Sequence, residues 1–449
     1  MSLENVPSAI PDVLNYTKVL PLAIESRARR RTYLANNGQQ WISDQQNIIR
    51  IPIVASAFLD TKESYLRFRL TNSCGVDLGL DYGGGHSVID RLTITQGGRI
   101  LSDIAPATTG EMSGAVVNTP TNANDVVLAG ATYTFCIPLI NGLLGTSQDK
   151  LVPLQLLGSQ PLQIEITLAN ANDIGVFNGA AAPQPLGYTI DDVRYCASLV
   201  EVGPEVDQHL REVQGASGGR LTLHGTDYTH YGANTPPNSV GLQSLNIPSR
   251  RKSIKSILWA VESQTYGAAP LQSTFYNLSY GGHVNCRSFQ LRLGNRNHPE
   301  TPVDCFFSDI GPAFNGQTRA QCAEELAKCF GSASDPHGTG VLSRINYLTQ
   351  NGQVAGGAGA AMALESAGAA PVVSHQFGAY GLDIEAFQPD GKGGGALESG
   401  WDSATRSLPI TLQFDIGPPV IPEGMVWDIY VVYDSIYWID TEGSMHVSM

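Results

Sequence analysis

Between positions 133 and 168 the chain reads YTFCIPLINGLLGTSQDKLVPLQLLGSQPLQIEITL, and at its end Leu162, Ile164, Ile166 and Leu168 alternate with Gln163, Glu165 and Thr167. The same period recurs at 408–416, LPITLQFDI, where Leu408, Ile410, Leu412, Phe414 and Ile416 alternate with Thr411, Gln413 and Asp415. Successive side chains of a strand point to opposite faces. Strict alternation therefore predicts half-buried strands in antiparallel sheets rather than a parallel βαβ core. Its appearance in both halves predicts two β domains in tandem.

Residues 1–47 read as an arm outside the first domain, extended or partly helical. Pro7, Pro11 and Pro21 interrupt it, and Arg27, Arg29, Arg30 and Arg31 precede a polar NNGQQ stretch. The arginines read either as a contact for an acidic partner (nucleic acid, lipid headgroup or neighbouring subunit) or as a solvated charge run. Residues 48–205 hold a first set of strands: NIIRIPIVA, SYLRFRLT, VIDRLTITQGGRIL, FCIPL, QIEITL and YTIDDVRYCASLVEV. A turn is expected at Gly83–Gly85, a hairpin at Gly97-Gly98 and a polar loop over 107–131. About eight short strands in such a span fit one sandwich or jelly roll.

Residues 206–218 read as a linker. PEVDQHLREV has helical spacing at Val206, Leu210 and Val213, and Gly215, Gly218 and Gly219 release the chain. Residues 219–449 then carry RLTLHGTDYTHY, SIKSILWAV, FQLRLG with Phe289, Leu291 and Leu293 inward, QFGAYGLDIEAF, LPITLQFDI and MVWDIYVVYDSIYWID. One helix is signalled at AQCAEELAKCF, with Thr318 and Gln321 as a capping box and Gly331 as its stop. Cys322 and Cys329 share a face of it with Leu326, which reads as core rather than a redox pair. AGGAGAAMALESAGAA at 355–370 reads as a long surface loop.

Composition narrows the class. A chain of 449 residues with 42% hydrophobic residues is long enough for two or three packed domains. Its net charge of −14 argues against a surface that coats nucleic acid, leaving only the local basic segment for that role. Seven scattered cysteines without a C-x-x-C read as reduced, buried thiols of a protein folded in the cytosol. The first residues lack the basic and apolar regions of a signal peptide, and no apolar run is long enough to span a membrane.

The search for chemistry yields little. GGGHS at 83–87 lacks the Lys-Ser/Thr of a phosphate loop and reads as a turn. His224, Asp227 and His230 form the nearest approach to a metal trio, but polar strand-face residues are the weightier reading. Asp191-Asp192 and Glu324-Glu325 are adjacent pairs whose side chains diverge, so neither supplies a facing acid and base. The expectation is no catalytic residue, no metal, no cofactor and no small-molecule substrate.

Several segments carry more than the β pattern. FCIPLINGLLGTSQDKLVPLQLLGSQPLQIEITL resembles the first-domain signature of double jelly-roll major capsid proteins of tailless icosahedral DNA viruses. These include the large nucleocytoplasmic DNA viruses, virophages and Polinton-type elements, with adenovirus hexon more distant. IPSRRKSIKSILWAVES, FQLRLGNRNHPETPV, AEELAKCFG, FGAYGLDIEAF, ESGWDSATRSLPITLQFDI and WDIYVVYDSIYWI resemble second-domain segments of that group, in the same order. The chain is shorter than many of these proteins, which implies small surface towers.

The resemblance implies an all-β chain of two tandem eight-stranded antiparallel jelly rolls, with short helices in loops. It also implies a homotrimer that forms a pseudo-hexagonal capsomer in an icosahedral virion shell, made in the host cytoplasm. Its partners would be neighbouring capsomers, penton or minor capsid proteins, and an internal membrane or packaged DNA reached through the arm. A tandem β-sandwich that binds carbohydrate or a receptor is the alternative, and a cupin-type enzyme would need a His/His/Glu cluster that the sequence does not assemble.

Overall fold

The computed structural model describes residues 26–43, 47–75, 77–80, 84–104, 126–145, 148, 150–158, 160–171, 174–178, 187–263, 286–305, 320–333, 379–385, 400–405, 408–416 and 424–448. The expectations for the three N-terminal prolines, most of the 107–131 loop, the Thr318 cap and the 355–370 loop lie outside the described residues.

The first half contributes β1 (Ser26–Leu34), β2 (Gln40–Ile42), β3 (Ile48–Ile53), β4 (Phe58–Asn72), β5 (Asp77–Leu80), β6 (Ile89–Gln96), β7 (Arg99–Ile104), β8 (Val126–Val127), β9 (Thr132–Ile137), β10 (Val152–Pro153), β11 (Leu162–Leu168), β12 (Gly175–Asn178) and β13 (Tyr188–Val202). One sheet runs β1-β13-β4-β10, with β2 added to β13 and β9 to β4, and a second runs β3-β11-β6-β7. The second half contributes β14 (Leu221–Thr235), β15 (Gly241–Ile247), β16 (Ile254–Ser263), β17 (Cys286–Leu293), β18 (Arg296–Asp304), β19 (Ala379–Asp383), β20 (Ile410–Ile416), β21 (Met425–Ile439) and β22 (Met445–Ser448). Its sheets run β14-β21-β16-β19, with β22 on β21, and β15-β20-β17-β18.

The two halves use one permutation. Take the eight principal strands of the first half in chain order as β1, β3, β4, β6, β7, β10, β11 and β13. Their sheets then read 1-8-3-6 and 2-7-4-5, and β14 to β21 give the same two strings. Two four-stranded sheets in this interleaved order are a jelly roll, built from Greek keys. The chain is a double jelly roll.

This arrangement corrects the expected boundaries. The first jelly roll begins at Ser26 rather than residue 48, because β1 pairs with β13 along its whole length, from Ser26↔Val202 to Leu34↔Arg194. Eight of the nine β1 residues are exposed, all but Tyr33, so the segment has no buried-face alternation to betray it. Backbone pairing with β13, rather than side-chain burial, makes it a strand. The linker helix α1 (Pro204–Ala216) starts at Pro204, where the helical spacing of PEVDQHLREV begins and two residues before the expected linker boundary at 206, with Pro204 in its first turn after Gly203. It ends as expected: Gly218 and Gly219 take φ of 69° and 82°, and the Gly219 N–H returns to the Gln214 carbonyl at 2.8 Å.

The alternation read at 162–168 and 410–416 holds residue by residue. In β11 and β20 every predicted inward residue is buried and every polar one is partly exposed. The β6–β7 hairpin turns at Gly97 and Gly98, with φ of 58° and 79°, the left-handed pair a two-residue loop demands. Phe68 stacks on Phe135 at 5.5 Å in the first core, and Trp259 meets Phe289 edge-on at 4.9 Å in the second. Each such fully buried side chain contributes about 1.5–3 kcal/mol relative to exposure. The predicted helix is α2 (Ala320–Ala333), and it runs through Gly331 rather than stopping there. Cys322, Leu326 and Cys329 are its buried face, as the spacing required. Gly84–Val88 forms a short 3-10 turn that places His86 Nε2 2.9 Å from the Pro138 carbonyl.

Candidate assembly edge and the seam between the jelly rolls

The four arginines lie on β1, an outer strand of its sheet. Arg27, Arg29 and Arg31 project to one face and Arg30 to the other. Arg29 pairs with Glu201 of β13 at 2.8 Å, and the Arg31 guanidinium lies 5.1 Å from the Tyr33 ring centre. Tyr33 in turn donates to the Val54 carbonyl at 2.9 Å, and burial pushes its phenol upward against the pull of Arg31 and Arg29. Arg27 and Arg30 form no ion pair with any described residue. The structure thus brings the four together on a ladder edge, where charge also discourages unwanted strand addition.

A second site, invisible as such in the sequence, is the seam between the jelly rolls. Asp227 of β14 is fully buried and gathers groups from both halves. Its Oδ1 accepts the Gly142 N–H at 2.9 Å and the Ser102 hydroxyl at 3.1 Å, both from the first half, and its Oδ2 accepts the Tyr437 hydroxyl. Asn141 Nδ2 donates to Ser102 Oγ at 2.5 Å and completes the cluster. Burial raises the Asp227 carboxyl, and the donors Tyr437, Gly142, Ser102 and Ser435 offset only part of that rise. Tyr437 is driven well above the ordinary phenol range by burial and by the facing Asp227.

Backbone meets backbone beside this cluster. A Cβ on Gly225 would overlap the Gly142 carbonyl, and one on Gly443 would strike Gly158 and Leu156. Gln96, at the end of β6, seats the β21–β22 turn. Its Nε2 donates to the Gly443 carbonyl at 3.0 Å, and its Oε1 accepts the Met445 N–H at 2.6 Å. Gly158 N–H donates to the same Gly443 carbonyl at 3.1 Å, and Arg99 reaches the Met445 carbonyl at 3.3 Å.

The candidate metal trio does not converge. On β14, His224 and His230 share a face while Asp227, an odd number of positions from each, takes the other and enters the seam. His230 pairs with Asp428 at 2.7 Å. Asp191 and Asp192 go separately to Arg69 at 2.6 Å and Arg67 at 2.8 Å, and Glu325 pairs with Lys328 at 2.8 Å. The buried Lys255 ammonium lies between Asp434 at 3.5 Å and Glu385 at 3.7 Å. These carboxylates are charge-neutralised structural groups, with no facing acid and base among them.

Among the described residues no helix is long and apolar enough to cross a membrane. No protein-family model matches the chain, and no curated protein matches its sequence. Among solved structures, the chain is similar in fold to the PBCV-1 virus capsid model, at 11% identity, 97% coverage of this chain, 99% of that one and a TM-score of 0.56. It is likewise similar to a chain of the Sputnik virophage structure, at 11% identity, 99% and 93% coverage and a TM-score of 0.55. The major capsid protein of Faustovirus follows, at 7% identity, 95% and 92% coverage and a TM-score of 0.51. Each likeness extends over both jelly rolls, so what is shared is the double fold and not one sandwich.

Proposed function

We propose that this chain is a structural major capsid protein and not an enzyme. Three copies associate into a pseudo-hexagonal capsomer of six jelly rolls, and capsomers tile an icosahedral virion shell. The observation that carries the reading is the repetition of one eight-strand permutation within a single chain. A rigid pair of jelly rolls supplies two of the six corners of such a capsomer. The fold likeness to the PBCV-1 capsid and to the Faustovirus major capsid protein, across nearly the whole chain, supports the same reading.

The shell location carries two finer readings: synthesis in the host cytoplasm, and contact with penton or minor capsid proteins. The arginines of β1 are proposed as an inter-subunit or inter-capsomer contact for acidic partners, an internal membrane or packaged DNA among them. A protein of net charge −14 offers acidic surface on every neighbouring copy, and Arg27 and Arg30 are exposed cations on an outer strand.

Native mass spectrometry and negative-stain microscopy of the purified protein test the assignment. A stable trimer of pseudo-hexagonal outline is expected. A monomer or dimer at all concentrations overturns it.

A further inference from the structure

Three of the seven cysteines meet in the second jelly roll. Cys286 opens β17, Cys305 follows β18, and Cys322 lies in the first turn of α2; all three are buried. The Cys305 and Cys322 sulfurs are 3.0 Å apart. The Cys286 thiol donates to the Ser288 carbonyl at 3.3 Å, and it joins Cys322 in raising the Cys305 thiol, so Cys305 has both as neighbours. Both walls of the cluster are pinned: the Cys305 N–H donates to the Arg287 carbonyl at 2.8 Å, and the Asp304 N–H donates to Gln321 Oε1 at 3.1 Å.

We propose that Cys305 and Cys322 are a disulfide-forming pair that ties α2 to the end of β18, with Cys286 as the third thiol that exchanges with it. The sulfur separation is about 1 Å longer than a disulfide bond, a gap that small side-chain rotations close. It is too short for a shared metal, since two thiolates on one tetrahedral zinc stand about 3.8 Å apart at bond lengths near 2.3 Å. Cys322 thus pairs with Cys305 after β18 rather than with Cys329 on its own helix face, and no spacing in the sequence marks that pairing.

The chemistry balances with a small disulfide such as oxidised glutathione as oxidant. The Cys305 thiolate attacks one glutathione sulfur, forming a mixed disulfide and expelling one glutathione thiolate. The Cys322 thiolate then attacks the Cys305 sulfur, forming the protein bond and expelling the second. The two protons lost by the cysteines end on the two glutathione thiols. Burial and the two neighbouring thiols hold Cys305 well above the ordinary thiol range, which disfavours its thiolate and slows attack while the cluster is packed. The bond forms as local opening admits the oxidant, and Cys286 remains beside it to reopen or relocate it.

The full-length protein, purified reduced, is incubated with oxidised glutathione below its melting temperature. It is then alkylated and mapped by peptide mass spectrometry without reduction. The expected result is a Cys305–Cys322 linked peptide, five alkylatable thiols under denaturation instead of seven, and a raised melting temperature. Cys305→Ser abolishes the linked peptide, Cys322→Ser shifts it to Cys286–Cys305, and Cys74→Ser leaves it unchanged. The proposal is overturned if all seven thiols remain, if Cys305 carries only glutathione, or if the bond joins any other pair in the wild-type protein. Stoichiometric zinc uptake that protects three thiols without a linked peptide overturns it equally. The wild-type map decides the matter even where a variant fails to fold.

Discussion

The backbone N–H of Gly142, in the first jelly roll, donates to the carboxylate of Asp227, in the second, at 2.9 Å. That carboxylate is the point where a loop of one half, a strand of the other and the final long strand converge.

Removing its acceptors leaves buried donors unmet. Asp227→Ala orphans the Gly142 N–H and the Ser102 and Tyr437 hydroxyls, at about 1–3 kcal/mol for each buried group left unsatisfied. Asp227→Asn keeps the shape and an acceptor and is expected to stay within about 1 kcal/mol of wild type at neutral pH. The Asp227 carboxyl is raised in the folded state, so its protonated form favours folding. That contribution is fully present below the unfolded carboxyl value and is lost as pH rises through the folded one. Melting temperatures across pH should therefore show wild type losing ground to Asp227→Asn as pH increases; a constant difference would refute the assignment.

Gly225→Ala places a methyl where the Gly142 carbonyl stands, at a cost of about 1–3 kcal/mol from overpacking. Gly232→Ala, on the same strand with open space around its Cβ, is the control and should melt near wild type. Equal melting of the two variants would mean that the seam yields.

Gln96→Ala strips the Gly443 carbonyl and the Met445 N–H of their shared partner. Hydrogen exchange should accelerate at Met445 before it does so in the core of β21, because the hairpin detaches locally. Unchanged protection at Met445 would count against the anchoring role.

Replacing Arg27, Arg29, Arg30 and Arg31 together by Ser should shift stability by less than about 1 kcal/mol, since the Arg29–Glu201 pair is exposed. Assembly into shells should fall, and wild-type assembly should weaken with added salt as charge contacts are screened. Equal assembly by both proteins at every ionic strength would make the cluster a solvated run.

What the sequence disclosed depended on whether a signal was local. Leu162 to Leu168 and Ile410 to Ile416 disclosed their strands because each alternates against water, and Gly97-Gly98 disclosed its turn. β1 stayed hidden because SRARRRTYL buries almost nothing and owes its conformation to β13, some 170 positions away. Asp227 drew notice for its histidine neighbours, yet strand parity turns it away from them. Its real partners, Gly142 and Ser102, are 85 and 125 residues distant. Cys305 and Cys322 likewise come from separate elements whose meeting no spacing encodes.

Gly142, Gly158, Gly225 and Gly443 let main chain touch main chain along the seam, where side chains would have left slack to be repacked. The two jelly rolls are therefore fastened to each other by main-chain contacts with no side chain between them at these points. In the proposed shell, a seam packed this closely would leave curvature to the contacts between chains, the exposed outer strand β1 among the candidates.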